Sequence, residues 1–175
     1  MRDAAFREYF ERHHDSMSRL AYLMTGEAEI ADDLAADALT EVWRHWDRVT
    51  AADDPAAYGH GILMNLARNW VRRRSRERLL TLEPLRRALD PDVSAVLDVR
   101  GALRRLPHRR RACVVLRYSF DLSEKEVAAI LGISVGAVKS ATSRGARQLA
   151  ELLGGRLPGG GSAALARIDG WEAAR

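Results

Sequence analysis

The stretch LSEKEVAAILGISVGAVKSATSRGARQL, residues 122–149, decides the fold class, because it has the pattern of two short helices around a tight turn. Ser123, followed three residues later by Glu126, forms the capping box that begins a helix. Gly132 supplies the left-handed backbone that a tight turn needs, and Ser134 is placed to cap the second helix. Together these signals predict a helix-turn-helix unit.

The second helix of this unit has an apolar side and a polar side. Val138, Ala141 and Gly145 recur at helical spacing and predict the side that packs. The opposite side has cations and hydroxyls and no acid, which suits phosphates and the base edges of a major groove, although a solvated helical hairpin is an alternative. The candidate contacts to duplex DNA are Ser134, Lys139, Ser140, Ser143, Arg144 and Arg147.

The rest of the chain is also predicted to be helical. Apolar residues recur with helical rather than alternating spacing, and strand patterns are nearly absent. Helices are expected over residues 3–24, 29–46 and 55–78, and Gly26 is placed to end the first of them. Phe10 is expected on the packing side of the first helix. The fold class is therefore predicted to be all-α.

The junction before the third helix contains turn signals and glycines. Residues 47–55 are expected to form a loop, with Asp54 as the N-cap and Pro55 at the first helical position. Gly59 and Gly61 follow within the helix, and each costs about 1 kcal/mol relative to alanine. A loose or rearranged start to the third helix is therefore expected.

The helical pattern weakens after the third helix, where Pro84 and Pro91 interrupt it. This break predicts two small helical domains joined by a short linker, with the helix-turn-helix in the second domain. A Gly-rich segment follows the second domain, and it is expected to be a flexible tail. The predicted parts are a first domain at 1–78, a linker at 79–92, a second domain at 93–153 and a tail at 154–175.

Composition excludes several classes of function. The net charge of +4 suits nucleic acid but is also common elsewhere. No apolar run is long enough to span a bilayer and the start lacks a signal peptide, so no membrane insertion and a cytoplasmic location are expected. Cys113 is the only cysteine and is expected in the core, and the histidines lack zinc-ligand spacing, so no metal or other cofactor is expected. Because no phosphate-cradling loop or nucleophile–base pair appears, neither an enzyme nor a small-molecule substrate is expected.

Three further segments add a family resemblance. They are ADDLAADALTEVWRHW at residues 31–46, DPAAYGHGILMNLARNWVRRRSRE at residues 54–77, and Leu106–Pro107 ahead of R-x-x-x-x-L-R-Y. In this order, with the helix-turn-helix behind them, they resemble an extracytoplasmic-function sigma factor of bacterial RNA polymerase. The resemblance extends from about Phe6 to Leu153 and implies a factor that binds core RNA polymerase and directs initiation at specific promoters.

The resemblance implies that the second helix docks on a coiled coil of the largest polymerase subunit. An acidic face with aromatic anchors suits a protein partner better than DNA, because carboxylates repel phosphate. The residues implied in polymerase binding are Leu34, Asp37, Glu41, Trp43 and Arg44.

The resemblance also implies that the third helix and the loop before it open and read the −10 promoter element, while the helix-turn-helix reads the −35 element as a duplex. A melted strand needs cations and surfaces that accept unstacked bases. Trp46 and Trp70 suit either such a surface or the core. The residues implied in contact with the melted strand are Arg48, Asn65, Asn69, Arg72, Arg73, Arg74 and Arg76.

The main alternative is a stand-alone helix-turn-helix repressor or activator that binds duplex operators as a dimer. The first half of the chain discriminates between the two, since a repressor does not need an acidic, aromatic helix followed by a basic one. The resemblance further implies an anti-sigma factor as a partner of the chain.

Overall fold

A computed structural model describes residues 2–80 and 99–154, without the side chains of residues 78–80. The predicted linker beyond residue 80, residues 93–98 and the predicted tail beyond residue 154 lie outside this description. Every regular element within it is a helix, so the predicted all-α fold is confirmed. The helices are α1 Arg2–Thr25, α2 Ala28–Arg44, α3 Trp46–Thr50, α4 Pro55–Leu80, α5 Val99–Arg105, α6 His108–Tyr118, α7 Glu124–Leu131 and α8 Val135–Leu152.

Helices α1, α2 and α4 form the core of the N-terminal half. Met17, Leu20 and Met24 recur every third or fourth residue of α1 and are fully buried. On α2 the matching positions are small, and Ala35 and Ala38 have no exposed surface, which lets the two helices lie close together. Helix α4 packs against both of them. No helix of the described part is long and apolar enough to cross a membrane.

The boundary after α2 differs from the prediction. Helix α2 ends at Arg44, His45 leaves the helical conformation with φ −104° and ψ 23°, and the short helix α3 occupies part of the predicted loop. The cause lies in tertiary packing, because Trp46 is only 7% exposed and Val49, three residues later, is fully buried. Because these two side chains pack into the core, the segment between them forms a helical turn.

The packing side of α1 is the expected one at Met17, Leu20 and Leu23 and differs from it at Phe10. Phe10 is 39% exposed, so the expectation that it packs inward is wrong, and the neighbouring Tyr9 is buried in its place. The Tyr9 hydroxyl donates a hydrogen bond to the carbonyl of Pro55 at 3.1 Å. Burial, together with the charge of Asp54, raises the pKa of Tyr9 to about 12, so the phenol remains protonated and remains a donor.

The start of α4 is continuous, contrary to the expected looseness. The predicted cap is present, because the backbone N–H of Ala57 donates to Asp54 Oδ1 at 2.9 Å. Gly59 lies directly beneath Tyr9, and a Cβ at this position would overlap the Tyr9 hydroxyl. Glycine is therefore the residue that lets α1 and α4 approach each other here.

Two glycine substitutions test this close approach. Gly59→Ala should lower the free energy of unfolding by about 2 kcal/mol, because the added methyl group displaces Tyr9. Gly61→Ala is the matched control: its Cβ would lie 3.5 Å from the Ile130 carbonyl oxygen, an ordinary contact, so the better helix propensity of alanine should leave stability unchanged or raised. Urea unfolding measures both. Equal shifts of the same sign would contradict the assignment.

The C-terminal half contains the predicted helix-turn-helix. The capping box of Ser123 and Glu126 is present at the start of α7, which confirms the prediction. Gly132 has φ +62° and turns the chain between α7 and α8, and Ser134 caps α8 by accepting from the backbone N–H of Ala137 at 3.2 Å. The two caps and the turn that were predicted for the helix-turn-helix are therefore all confirmed.

Helix α6 is the central helix of this half. Residues 111–116 are all buried, and Gly145 of α8 packs so closely on α6 that an added Cβ would lie 2.7 Å from the side chain of Val114. Cys113 is fully buried, as expected, and burial raises the pKa of its thiol to about 11. The thiol is therefore protonated at neutral pH.

Arg111 of α6 joins the two halves. This arginine is only 7% exposed, and its Nη1 donates to the carbonyl of Met24, in the last turn of α1, at 2.5 Å. Its Nη2 donates to the carbonyls of Arg104 and Leu106 at 2.7 and 3.3 Å. Burial, and then the charge of Arg104, lowers the pKa of Arg111 to about 10, so it remains cationic at neutral pH. The Arg111 guanidinium of the C-terminal half thus caps the C-terminal end of α1 in the N-terminal half.

Candidate nucleic-acid interface

Helix α8 separates its buried and exposed sides cleanly. Val138, Ala141 and Leu149 pack inward, and the residues predicted to contact duplex DNA lie on the remaining surface. Ser134 precedes them as the N-cap and has an exposed side chain. The structure therefore brings the whole predicted set together along one helix. Lys139, Ser143, Arg144 and Arg147 are exposed and Ser140 is half-buried.

Arg144 is held in place by its own helix. Its Nε donates to the Ser140 carbonyl at 3.2 Å, and its Nη2 donates to the Ser140 hydroxyl at 2.5 Å. These bonds restrict the guanidinium before any ligand arrives, which reduces the rotamer entropy lost on binding. The other N–H groups of the guanidinium remain available for acceptors on DNA.

Lys139 pairs with the preceding helix. Its Nζ lies 3.6 Å from Glu124 Oε2 of α7, and both side chains are at least one-third exposed. An exposed pair of this kind is worth about 0.2–1 kcal/mol. Lys139 can therefore exchange the Glu124 carboxylate for a DNA phosphate at little cost in free energy.

Helix α4 presents a second basic surface near its C-terminal end. Arg73 lies 3.8 Å from Glu77, and Arg74 lies 3.8 Å from Glu27, at the start of α2. Both pairs are exposed and too long for firm hydrogen bonds, so a phosphate can replace the carboxylates. Arg48 is exposed as well, but it lies on α3. The predicted residues on α4 that are exposed are Asn65, Asn69, Arg72, Arg73, Arg74 and Arg76.

The sequence prediction missed Arg68, which belongs to this surface. Arg68 is exposed on α4, and its Nη2 donates to Asn65 Oδ1 at 2.9 Å. The bond leaves the amide N–H groups of Asn65 available to a base. The spacing of three residues between an amide and an arginine was the signal in the sequence.

Asn65 and Arg68 also line a cleft of about 180 Å³ between α4, α6 and α7. Arg109 adds a second cation, and Met64 and Ile130 supply apolar surface. His108 lines the cleft too, and burial, followed by the charges of Arg111 and Arg68, lowers its pKa to about 4. The imidazole is therefore neutral at physiological pH, and the cleft owes its positive charge to the arginines.

Helix α2 presents the opposite charge. Asp37 and Arg44 are exposed, and Glu41 accepts a hydrogen bond from Arg44 at 2.5 Å. Trp43 is half-buried, with its ring centre 4.9 Å from that of Phe6 and 4.6 Å from the Arg2 guanidinium. This end of α2 therefore combines carboxylates with an anchored aromatic ring.

Two predicted or considered positions lie in the core. Leu34, one of the residues implied in polymerase binding, is only 7% exposed and packs within the N-terminal half, beneath the exposed residues of α2. Trp46 is also 7% exposed, which decides between the two interpretations in favour of the core. Trp70 is half-buried, and the Arg74 guanidinium lies 6.0 Å from its ring centre.

The two halves match two models of one protein class. A family model described as Sigma-70 region 2 matches residues 9–77, and a model described as Sigma-70, region 4 matches residues 97–149. The acidic α2 and the basic α4 fall in the first match, and the helix-turn-helix falls in the second. The chain is thus a sigma factor of the sigma-70 type.

Similar proteins from other bacteria show to which family of sigma factors the chain belongs. The ECF RNA polymerase sigma factor SigM of Mycobacterium tuberculosis strain H37Rv is 33% identical over 152 residues, which cover 86% of this chain and 78% of SigM. The RNA polymerase sigma-E factor of Streptomyces coelicolor is 30% identical over 154 residues, 85% of each chain. The chain belongs to the ECF family of RNA polymerase sigma factors, which direct promoter-specific initiation of transcription.

Solved structures agree on the fold. The sigma factor RpoE from Bartonella quintana, in complex with the anti-sigma factor NepR, matches with a TM-score of 0.71 at 24% identity, over 86% of this chain and 97% of RpoE. CnrH, in complex with the cytosolic domain of CnrY, matches with a TM-score of 0.64 at 24% identity, over 88% of this chain and 90% of CnrH. The arrangement of helices is therefore shared with RpoE and CnrH.

Proposed function

We propose that the chain holds a promoter at two points while it is docked on core RNA polymerase through α2. The observation that supports this proposal is the charge of its exposed helix faces, which is acidic on α2 and basic on α4 and α8. One chain then has a surface that repels phosphate and two that attract it. The proposal assigns polymerase docking and the −10 element to residues 1–78 and the −35 element to residues 93–153.

The −35 element binds on α8 as duplex DNA. The part of α8 from its N-terminus to Arg144 contacts base edges in the major groove, and Arg147 beyond it contacts phosphates. Ser140 and Ser143 are short enough to allow a close approach of the backbone. Arg144, restricted by Ser140, is the residue suited to a bidentate contact with a guanine edge.

The −10 element binds on α4 as a melted strand. The arginines from Arg72 to Arg76 follow the phosphates, and Asn65 and Asn69 supply amides for hydrogen bonds to unpaired bases. The half-buried ring of Trp70 offers a stacking surface beside Arg74. Arg48 adds an exposed cation on α3.

Polymerase docking uses Asp37, Glu41 and Arg44 as a charged rim around Trp43. A half-buried aromatic ring with charged neighbours is the usual composition of a protein interface. The chain acts as a binding factor with no reaction of its own, and an anti-sigma factor is a further partner. The similar structure of RpoE is a complex with the anti-sigma factor NepR.

A run-off transcription assay tests the function directly. Purified chain is mixed with core RNA polymerase from Mycolicibacterium smegmatis, the source of another relative, and with a pool of genomic promoter fragments. We expect co-elution of chain and core enzyme and transcripts that begin at specific promoters. A chain that binds duplex DNA alone, as a dimer, without binding core enzyme would instead favour the repressor.

The Arg144→Ala variant tests the contact with duplex DNA. It should weaken binding of holoenzyme to the −35 duplex by about tenfold, since a bidentate contact is worth about 1–3 kcal/mol. Arg110→Ala is the control, because Arg110 lies on α6 and donates to Gln148 within the same half of the chain. A fluorescence-anisotropy titration measures both variants. An unchanged affinity for Arg144→Ala would remove α8 from the interface.

A further inference from the structure

Val135 is an exposed apolar side chain at the start of the recognition helix. It is the first residue of α8, and its side chain is 37% exposed. Phe10 of α1 is the other large apolar residue exposed to this degree in the described part of the chain. An apolar group therefore leads a helix face that otherwise contains hydroxyls and cations.

The surroundings of Val135 leave room for a ligand. Gly136 follows it, and a Cβ at that position would have no atom within 4 Å. Lys139 lies one helical turn further on the same side, where it pairs loosely with Glu124. The first turn of α8 thus has an apolar group, an open backbone and a nearby cation, and no acid within that turn.

The side chain itself is suited to a defined contact. A β-branched valine in a helix has one strongly preferred rotamer, so little entropy is lost when it is covered. Valine is also a poorer helix former than alanine, so local helix stability does not account for its presence. A partner that covers the side chain in the bound state gives a physical reason for an exposed apolar residue here.

The major groove has one apolar group that meets these conditions. Each thymine carries a C5-methyl group there, beside hydrogen-bonding groups, and small apolar side chains recognise it. The N-terminal residues of a recognition helix are the ones that contact base edges. An apolar residue in the first turn is therefore aligned with the bases, while Arg147, three turns later, is aligned with the backbone.

We propose that Val135 is a specificity-determining residue that contacts the C5-methyl group of a thymine in the −35 element. The proposal rests on the assignment of α8 to the −35 duplex. It adds a position at which the factor distinguishes thymine by an apolar contact instead of a hydrogen bond.

A test removes the methyl group without altering any hydrogen bond. Holoenzyme, formed from the full chain and core polymerase of Mycolicibacterium smegmatis, first selects its upstream element from a pool of randomised duplexes. Each thymine of the selected duplex is then replaced in turn by uracil, which lacks the methyl group. For the wild-type chain we expect one replacement to weaken binding about fourfold, the effect of one buried methyl group.

The Val135→Ala variant should bind the thymine duplex about fourfold more weakly than the wild type and should not respond to uracil at that position. Alanine favours the helix, so misfolding does not interfere with this variant. Arg147→Ala is the control: it should weaken binding to every duplex and keep the wild-type response to uracil.

The outcomes separate this proposal from the function it rests on. A wild-type holoenzyme that enriches no duplex would overturn both. A selected element without thymine, or a Val135→Ala variant that still responds to uracil like the wild type, would overturn the thymine contact alone. A Val135→Ala variant that loses the uracil response while Arg147→Ala retains it supports the contact.

Discussion

Replacement of Arg111 by methionine should lower the free energy of unfolding by about 3 kcal/mol. Methionine fills much of the same space but donates no hydrogen bond. The carbonyls of Met24, Arg104 and Leu106 would then lose a buried donor, and each loss costs about 1–3 kcal/mol, offset in part by the smaller desolvation cost of methionine. For a chain of this size the loss corresponds to a fall in Tm of about 10 °C.

Two further variants make this result specific. Arg111→Lys keeps the charge but cannot reach three carbonyls with a planar fork, so its loss should lie between that of the methionine variant and zero. Arg109→Met changes the same residue type two positions earlier, where the side chain is exposed, and should stay within about 0.5 kcal/mol of the wild type. Urea and thermal unfolding measure all three. Equal stability of Arg111→Met and Arg109→Met would contradict the capping role.

Reversal of charge on α2 should strongly weaken polymerase binding. With Asp37→Lys and Glu41→Lys combined, we expect the affinity for core enzyme to fall about a hundredfold, because two attractive contacts become repulsive at about 1.4 kcal/mol each. Helix stability should change little, since Asp37 is exposed and the Glu41–Arg44 pair lies at the surface. DNA contacts on α8 remain intact in this variant.

The control carries the same charge change at the same spacing. Glu11→Lys and Asp15→Lys reverse two exposed acids four residues apart on α1. This pair should bind core enzyme within about twofold of the wild type, a difference of roughly 0.4 kcal/mol. Surface plasmon resonance with immobilised core enzyme gives both affinities. If the two double variants lose affinity equally, net charge and not the α2 face determines binding.

Local signals in the sequence were sufficient to predict the helix-turn-helix. A capping box, a turn glycine and an N-cap depend on atoms within a few residues of each other, so Ser123, Gly132 and Ser134 could be assigned without tertiary information. The short α3 could not, because its helical turn depends on the burial of Trp46 and Val49 against other helices. Gly59 was misinterpreted for a related reason, since propensity describes an isolated helix and the neighbouring Tyr9 is remote in sequence.

In the candidate site, too, local features could be predicted from the sequence and features that depend on tertiary packing could not. The polar side of α8 follows from helical periodicity, which also places the α4 amides and arginines at the surface. On α2 helical periodicity separates Leu34, which is buried, from Asp37, which is exposed, and it was the family resemblance that assigned both residues to polymerase binding. The burial of Arg111 was not predicted, because Arg111 follows two other arginines in the sequence and is distinguished from them only by its carbonyl partners from α1 and α5.

The buried thiol of Cys113 can report how often the C-terminal half of the chain opens around α6. Cys113 is the only cysteine, is fully buried, and lies two residues from Arg111 at the centre of α6. With a pKa of about 11 it is almost entirely un-ionised, so alkylating or oxidising reagents find neither access nor thiolate in the closed molecule. Its labelling rate therefore measures how often α6 becomes exposed, with no engineered probe. The same burial should protect the Cys113 thiol from mild oxidants.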